Sequence, residues 1–181
     1  MSRLSVPAVA DTPEASRPIL AQVERQLGMV PNLYRLIANS PKALAAYAAF
    51  NGALAKALDL KTRERIALAV AEVDGCDYCL AAHSYLAANL AKLPLEEIER
   101  ARQGRASEPK ADAAVAFAAK VTRERGHVGD ADVAAVRVAG FGDAEIVEIV
   151  ALVAENVFTN FLNSVAQTEI DFPAVRPARA A

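Results

Sequence analysis

Helix punctuation recurs along the whole of this 181-residue chain, and nothing in it reads as a strand. Thr12-Pro13-Glu14 offers a cap, a proline at the first helical position and an early acid, with Gly28 closing the segment. Pro31 opens a short helix to about Ala38. Ser40-Pro41 repeats the cap-plus-proline signal, and apolar residues then run to about Leu58. Asp59 or Thr62 starts the next helix, in which Ile66, Val70 and Val73 follow helical spacing until Asp74-Gly75 ends it. Cys76 opens a helix to about Leu90. Pro94 begins one closed by Gly104, Ser107 to Arg125 is closed by Gly126, and Asp130 to Ala139 ends at Gly140. Asp143 caps a long helix to about Asn163. The pattern predicts an all-α protein of about eight or nine helices with short loops.

At this length the chain reads as a single domain over 1–181. Gly104 to Ser107 is the best candidate for a joint between two lobes, 1–105 and 106–181. No glycine- or serine-rich linker separates them, so they are expected to pack together. From Pro173 to Ala181 an irregular arm is expected. Net charge is −2, and no basic stripe interleaves with aromatics, which argues against nucleic acid as a partner. No apolar run approaches the roughly 18–20 residues that span a bilayer. The first ten residues carry one arginine and no long apolar stretch, so no signal peptide is indicated and a cytoplasmic protein is expected.

The chemistry concentrates in 61–90. The only two cysteines are Cys76 and Cys79, spaced C-x-x-C, and one of the two histidines, His83, follows four positions later. In the cytoplasm such a pair is more often catalytic or metal-binding than a permanent staple. With Gly75 ending one helix, both cysteines fall at the start of the next, where unpaired N–H groups and the helix dipole favour a thiolate. At about 100° per residue, Cys79 lies about 60° from Cys76 and His83 about 20° from it, so all three share a face. His83 is one turn beyond Cys79 and can accept its thiol proton. Glu64 stands twelve positions before Cys76, and Glu72 is a rival carboxylate about 80° round the same helix. The alternative is structural zinc on Cys76, Cys79 and His83, with His127 as the fourth ligand. Tyr78, between the cysteines, reads as packing ahead of proton transfer.

The run from Arg63 to His83 resembles the alkylhydroperoxidase D-like proteins of the carboxymuconolactone decarboxylase superfamily, most of all their peroxidase-related branch. Glu64, Cys76, Cys79 and His83 match that family's pattern at all four positions. Gly28 to Tyr34 and Asn156 to Asn163 look like the same branch. The resemblance implies an alkylhydroperoxidase D-like helical fold assembled as a homotrimer or homohexamer, with no cofactor. It also implies a thiol-dependent peroxidase or disulfide reductase acting on a small hydroperoxide. Cys79 would be the peroxidatic thiol, Cys76 its resolving partner, and Glu64 and His83 the proton relay. A lipoamide-like or thioredoxin-like dithiol would reset the pair. The dipole argument favours Cys76 for first attack, and the family pattern favours Cys79. Some members carry histidine where this chain has Tyr78, a poorer proton carrier at pH 7. A redox adaptor or oxidant sensor with little turnover is the competing function.

Overall fold

In the computed structural model, residues 2–173 are described. Among them are nine α-helices and no strand: α1 (Arg17–Leu27), α2 (Asn32–Ile37), α3 (Pro41–Leu54), α4 (Leu60–Asp74), α5 (Asp77–Asn89), α6 (Leu95–Arg102), α7 (Pro109–Arg123), α8 (Asp130–Val138) and α9 (Asp143–Ala166). Beyond Pro173, the expected irregular arm lies outside the described residues. The fold is the all-α one that the sequence pattern predicts.

The centre is α4. Its run Ile66-Ala67-Leu68-Ala69-Val70-Ala71 is apolar all round, and every one of these residues is buried. A helix without a polar face is enclosed on every side, and α5, α6, α7 and α9 all pack on it. Its alanines let neighbours approach closely, while each buried leucine or isoleucine contributes about 1.5–3 kcal/mol. The start of α4 is fixed by Asp59, whose carboxylate accepts the Thr62 N–H at 3.1 Å and the Thr62 hydroxyl at 2.6 Å. Its end is fixed by Gly75, whose φ of +68° is a left-handed conformation that a side chain resists.

One apolar cluster joins α4, α7 and α9 through Ile66, Val70, Val115, Phe117, Ile149 and Leu152. A second lies beneath α5 and α6 and holds both cysteines with Leu68, Leu80 and Ile98. Through the second runs a buried ion pair, Arg65 Nη2 to Glu97 Oε2 at 2.7 Å. The Ser107 N–H donates to Glu97 Oε1 at 3.2 Å, tying the segment before α7 to the same carboxylate. Burial pushes the Glu97 carboxyl up, but Ser107 and Arg65 outweigh it and hold it below its ordinary value. Gly104 (φ +74°) turns the chain out of α6 close to Ala119, whose Cβ lies 3.2 Å from where a glycine substituent would stand.

Two helix boundaries differ from the sequence expectation. Thr12 does not cap a helix: its hydroxyl donates to the Val9 carbonyl at 2.7 Å, and two 3₁₀ turns, Val9–Asp11 and Glu14–Ser16, precede α1. α3 stops at Leu54 and not near Leu58: the Lys56 and Ala57 N–H groups bond three residues back, to the Ala53 and Leu54 carbonyls, and Arg63 Nη1 takes the Ala55 and Leu58 carbonyls. Among the described residues, no helix is long and apolar enough to cross a membrane.

Candidate active site

The cysteines sit at the junction that Gly75 creates. Cys76 is the N-cap of α5, one position ahead of the first turn, and its Sγ accepts the Cys79 N–H at 3.2 Å. The two are joined as a disulfide with Cα atoms 5.3 Å apart. Both are buried, at 2% and 3% exposure. Glu64 reaches His83 from α4: its Oε2 lies 2.9 Å from His83 Nδ1. Glu64 therefore engages one ring nitrogen of His83 and leaves Nε2 as the other exchange point. Burial alone pulls the His83 pKa down, but the charge and hydrogen bond of Glu64, with Glu155 adding to them, outweigh it and raise it.

Glu64, Cys79 and His83 line one cavity of about 300 Å³. Cys76 is not on its wall. Most of the wall is apolar, with Leu27, Leu54, Leu60, Leu86, Leu90 and Leu152, and Tyr34, Tyr47 and Phe172 add aromatic faces. The sulfur that meets the cavity is thus the one four residues from His83.

The other candidates have different partners, although Tyr78 also lines the cavity. Glu72 accepts from Arg102 Nε at 2.9 Å and is not on the cavity wall. The Tyr78 hydroxyl donates to Asp171 Oδ1 at 2.8 Å and accepts the Leu33 N–H at 3.1 Å, which pins the segment after α9 and the start of α2 onto α5. Burial, with Asp171 adding, drives its pKa far above the ordinary value. Tyr78 therefore works as a packing and hydrogen-bonding anchor. His127 is exposed between α7 and α8, and no three His, Cys, Asp or Glu side chains among the described residues are grouped to hold a metal ion.

Three polar residues escaped the sequence reading. Asn163 Nδ2 donates toward Cys79 Sγ at 3.4 Å. Glu155, at 7% exposure, lines the cavity, and its Oε1 accepts from Asn51 Nδ2. The signal for the α9 pair was present: Glu155, Asn156, Thr159, Asn160 and Asn163 recur at helical spacing in α9, and all five are buried. A polar stripe that faces inward marks a site, because buried polar groups need partners.

Residues 41–124 match the model of the Carboxymuconolactone decarboxylase family. A solved structure described as an alkylhydroperoxidase AhpD core, a peroxidase-related protein from Ralstonia eutropha, superposes with a TM-score of 0.84 at 28% identity, over 94% of this chain and 92% of that one. This chain has the alkylhydroperoxidase D-like fold, and the segment of it that holds the motif matches the carboxymuconolactone decarboxylase family. A peroxidase-related protein from Silicibacter sp. gives 0.80 at 27% identity, over 93% and 91%. At 20% identity, a debrominase in complex with 2,3,4-tribromopyrrole shares the fold with a TM-score of 0.79, over 93% and 91%. No curated protein sequence matches. The superfamily match spans α3 to α7 and so contains Glu64, Cys76, Cys79 and His83, whereas Glu155 and Asn163 lie beyond it.

Proposed function

We propose that this alkylhydroperoxidase D-like protein is a thiol-dependent peroxidase that reduces hydroperoxides and cycles through the Cys76–Cys79 disulfide. The observation that carries the reading is the shared wall: Cys79 and the Glu64–His83 pair line one cavity, with Cys76 bonded behind. In the reduced protein His83 takes the Cys79 proton, and Glu64 stabilises the imidazolium. The Asn163 amide supplies a donor to the thiolate. Cys79 sulfur attacks the terminal oxygen of the hydroperoxide, the O–O bond breaks, and the alkoxide leaves as an alcohol with the proton held on His83. Cys79 becomes a sulfenic acid. The Cys76 sulfur then attacks Cys79, the S–O bond breaks, and water departs with the Cys76 proton.

Recovery gives the helix dipole its part. An incoming dithiol meets Cys79 from the cavity, and Cys76 is expelled as a thiolate at the N-cap of α5, where the Cys79 N–H supports it. A stabilised leaving thiolate speeds exchange, so the dipole serves Cys76 as leaving group and the relay serves Cys79 as nucleophile. Burial of both sulfurs favours a slender, lipoamide-like dithiol as the reductant. The test is steady-state reduction of cumene hydroperoxide with dihydrolipoamide. Turnover should vanish in Cys79→Ser, whereas Cys76→Ser should still form a sulfenic acid that a dimedone reagent captures. No turnover with any dithiol, or sulfenic acid at Cys76, would overturn the reading.

We further propose a homo-oligomer, in keeping with the trimers or hexamers that the resemblance implies. The outer side of α9 carries Val147, Val150, Phe158, Phe161 and Val165, all exposed, and Phe50 is exposed on the neighbouring α3. A second copy of the chain is the occupant that an apolar stripe of this length fits.

A further inference from the structure

The charges on the cavity wall are not all paired with one another. Its acids are Glu64 and Glu155, and its bases are Arg63 and His83. Both bases are engaged: Arg63 Nη1 donates to the Ala55 and Leu58 carbonyls, and His83 Nδ1 is held by Glu64. Among the described residues Glu155 has no cation bonded to it; its hydrogen-bond partner is the neutral amide of Asn51. It makes no hydrogen bond to the relay and acts on His83 only through its charge. When it is ionised, a buried carboxylate with a neutral partner carries its charge into a low-dielectric space, where repulsion of a second anion is strong.

We infer that Glu155 makes the cavity selective by charge, so that it admits uncharged apolar ligands to Cys79 and turns away carboxylates. The inference rests on the reading of Cys79 as the sulfur that meets ligands in the cavity. By this account the substrates are hydroperoxides whose organic part is neutral, and free fatty-acid hydroperoxides are excluded. The same wall prefers a dithiol presented as an amide to one that ends in a free acid. Size alone would not sort these pairs, because each differs only by replacement of a carboxylate with a neutral group.

Four groups act on Glu155: Asn51, His83 and Arg63 favour its ionised form, while Glu64 opposes it. Burial, the largest influence, raises its pKa. The assay is therefore run at pH 8, on the alkaline side, which favours the ionised form of Glu155.

The probes are iodoacetamide and iodoacetate, nearly equal in shape and different in charge. Each alkylates Cys79 as the single thiol of the reduced Cys76→Ser protein. The ratio of their rates is divided by the ratio measured with 2-mercaptoethanol. Cys79 should favour iodoacetamide by a further tenfold or more, equivalent to 1.4 kcal/mol. Glu155→Gln should reduce that preference to threefold or less, and Glu155→Asp, which keeps the charge, should retain it. Glu96→Gln, at an exposed position on α6, should leave it unchanged. Glu155→Ala gives the same reading if the glutamine variant does not fold. An unmodified protein with the ratio of the free thiol, or neutral variants with undiminished preference, would overturn the inference. Because no turnover is needed, a protein that discriminates between the probes yet reduces no hydroperoxide would refute the peroxidase reading alone.

Discussion

Replacing Glu64 with glutamine isolates the relay. The perturbation is small in shape, so α4 keeps its packing, but the negative charge beside His83 Nδ1 at 2.9 Å is removed. Two unit charges about 4 Å apart attract by about 4 kcal/mol at an effective dielectric near 20. Side-chain exposures of 24% for His83 and 12% for Glu64 leave room for water to weaken this. The usual range for a hydrogen bond to a charged group, about 1.5–3 kcal/mol, is the better guide. At about 1.36 kcal/mol per decade this is a loss of roughly ten- to a hundredfold in the rate of Cys79 reaction with peroxide at neutral pH. The sign follows from the balance on His83. Without the carboxylate, burial acts unopposed by its main counterweight, the imidazole holds its proton less firmly, and the thiolate–imidazolium pair is less stable. Alkylation of Cys79, measured against pH in the Cys76→Ser background, should therefore shift to higher pH in Glu64→Gln. Glu72→Gln, which touches the Arg102 contact and not the cavity, should change the rate less than about threefold, or about 0.6 kcal/mol. A profile that moves in Glu72→Gln and stays in place in Glu64→Gln would refute the reasoning.

Tyr78→Phe should leave the pH profile of Cys79 alkylation in place while lowering stability by about 1–3 kcal/mol in urea unfolding, because Asp171 and the Leu33 N–H lose their shared partner. A shifted profile would return Tyr78 to the relay. Glu97→Ala should cost about 3–5 kcal/mol by leaving the Arg65 guanidinium buried and unpaired. Since Glu97 is held below its ordinary pKa, its contribution is present above the unfolded carboxyl range and fades as pH falls through the folded value, so the cost should shrink in acid. Phe161→Glu should lower the mass found by light scattering; a 19.1 kDa monomer already present in the unmodified protein would refute the oligomer.

The fold was legible where a cap and a breaker coincide. Ser40 with Pro41, Asp59 with Thr62, and Asp74 with Gly75 act locally, and the helix ends stand where those residues put them. Thr12 carried the same signal, but its hydroxyl turned back to Val9, an equally local bond that a cap rule does not distinguish. Leu58 fell outside α3 because the chain tightens into three-residue turns at Lys56 and Ala57, with Arg63 of the next helix taking the Leu58 carbonyl. The meeting of Glu64 and His83 was legible as a spacing and not as a contact, since it depends on how α4 and α5 cross. Glu155 is farther still from the motif, and only its place in the inward polar stripe of α9 announced it.

The Arg65–Glu97 clamp has a bearing on rate. Arg65 is the residue after Glu64, so the grip that α6 holds on one side chain sets the rotation of the helix that presents the other. A glutamate carboxylate lies roughly 6 Å from the axis of its helix, and a turn of about 10° carries it about 1 Å sideways. That distance separates a hydrogen bond to His83 from none. Loosening the clamp at Glu97 or Ser107 should therefore appear first as misalignment of a proton transfer, in protein that is still folded. Turnover would then serve as a torsion gauge for a salt bridge that touches neither sulfur nor substrate.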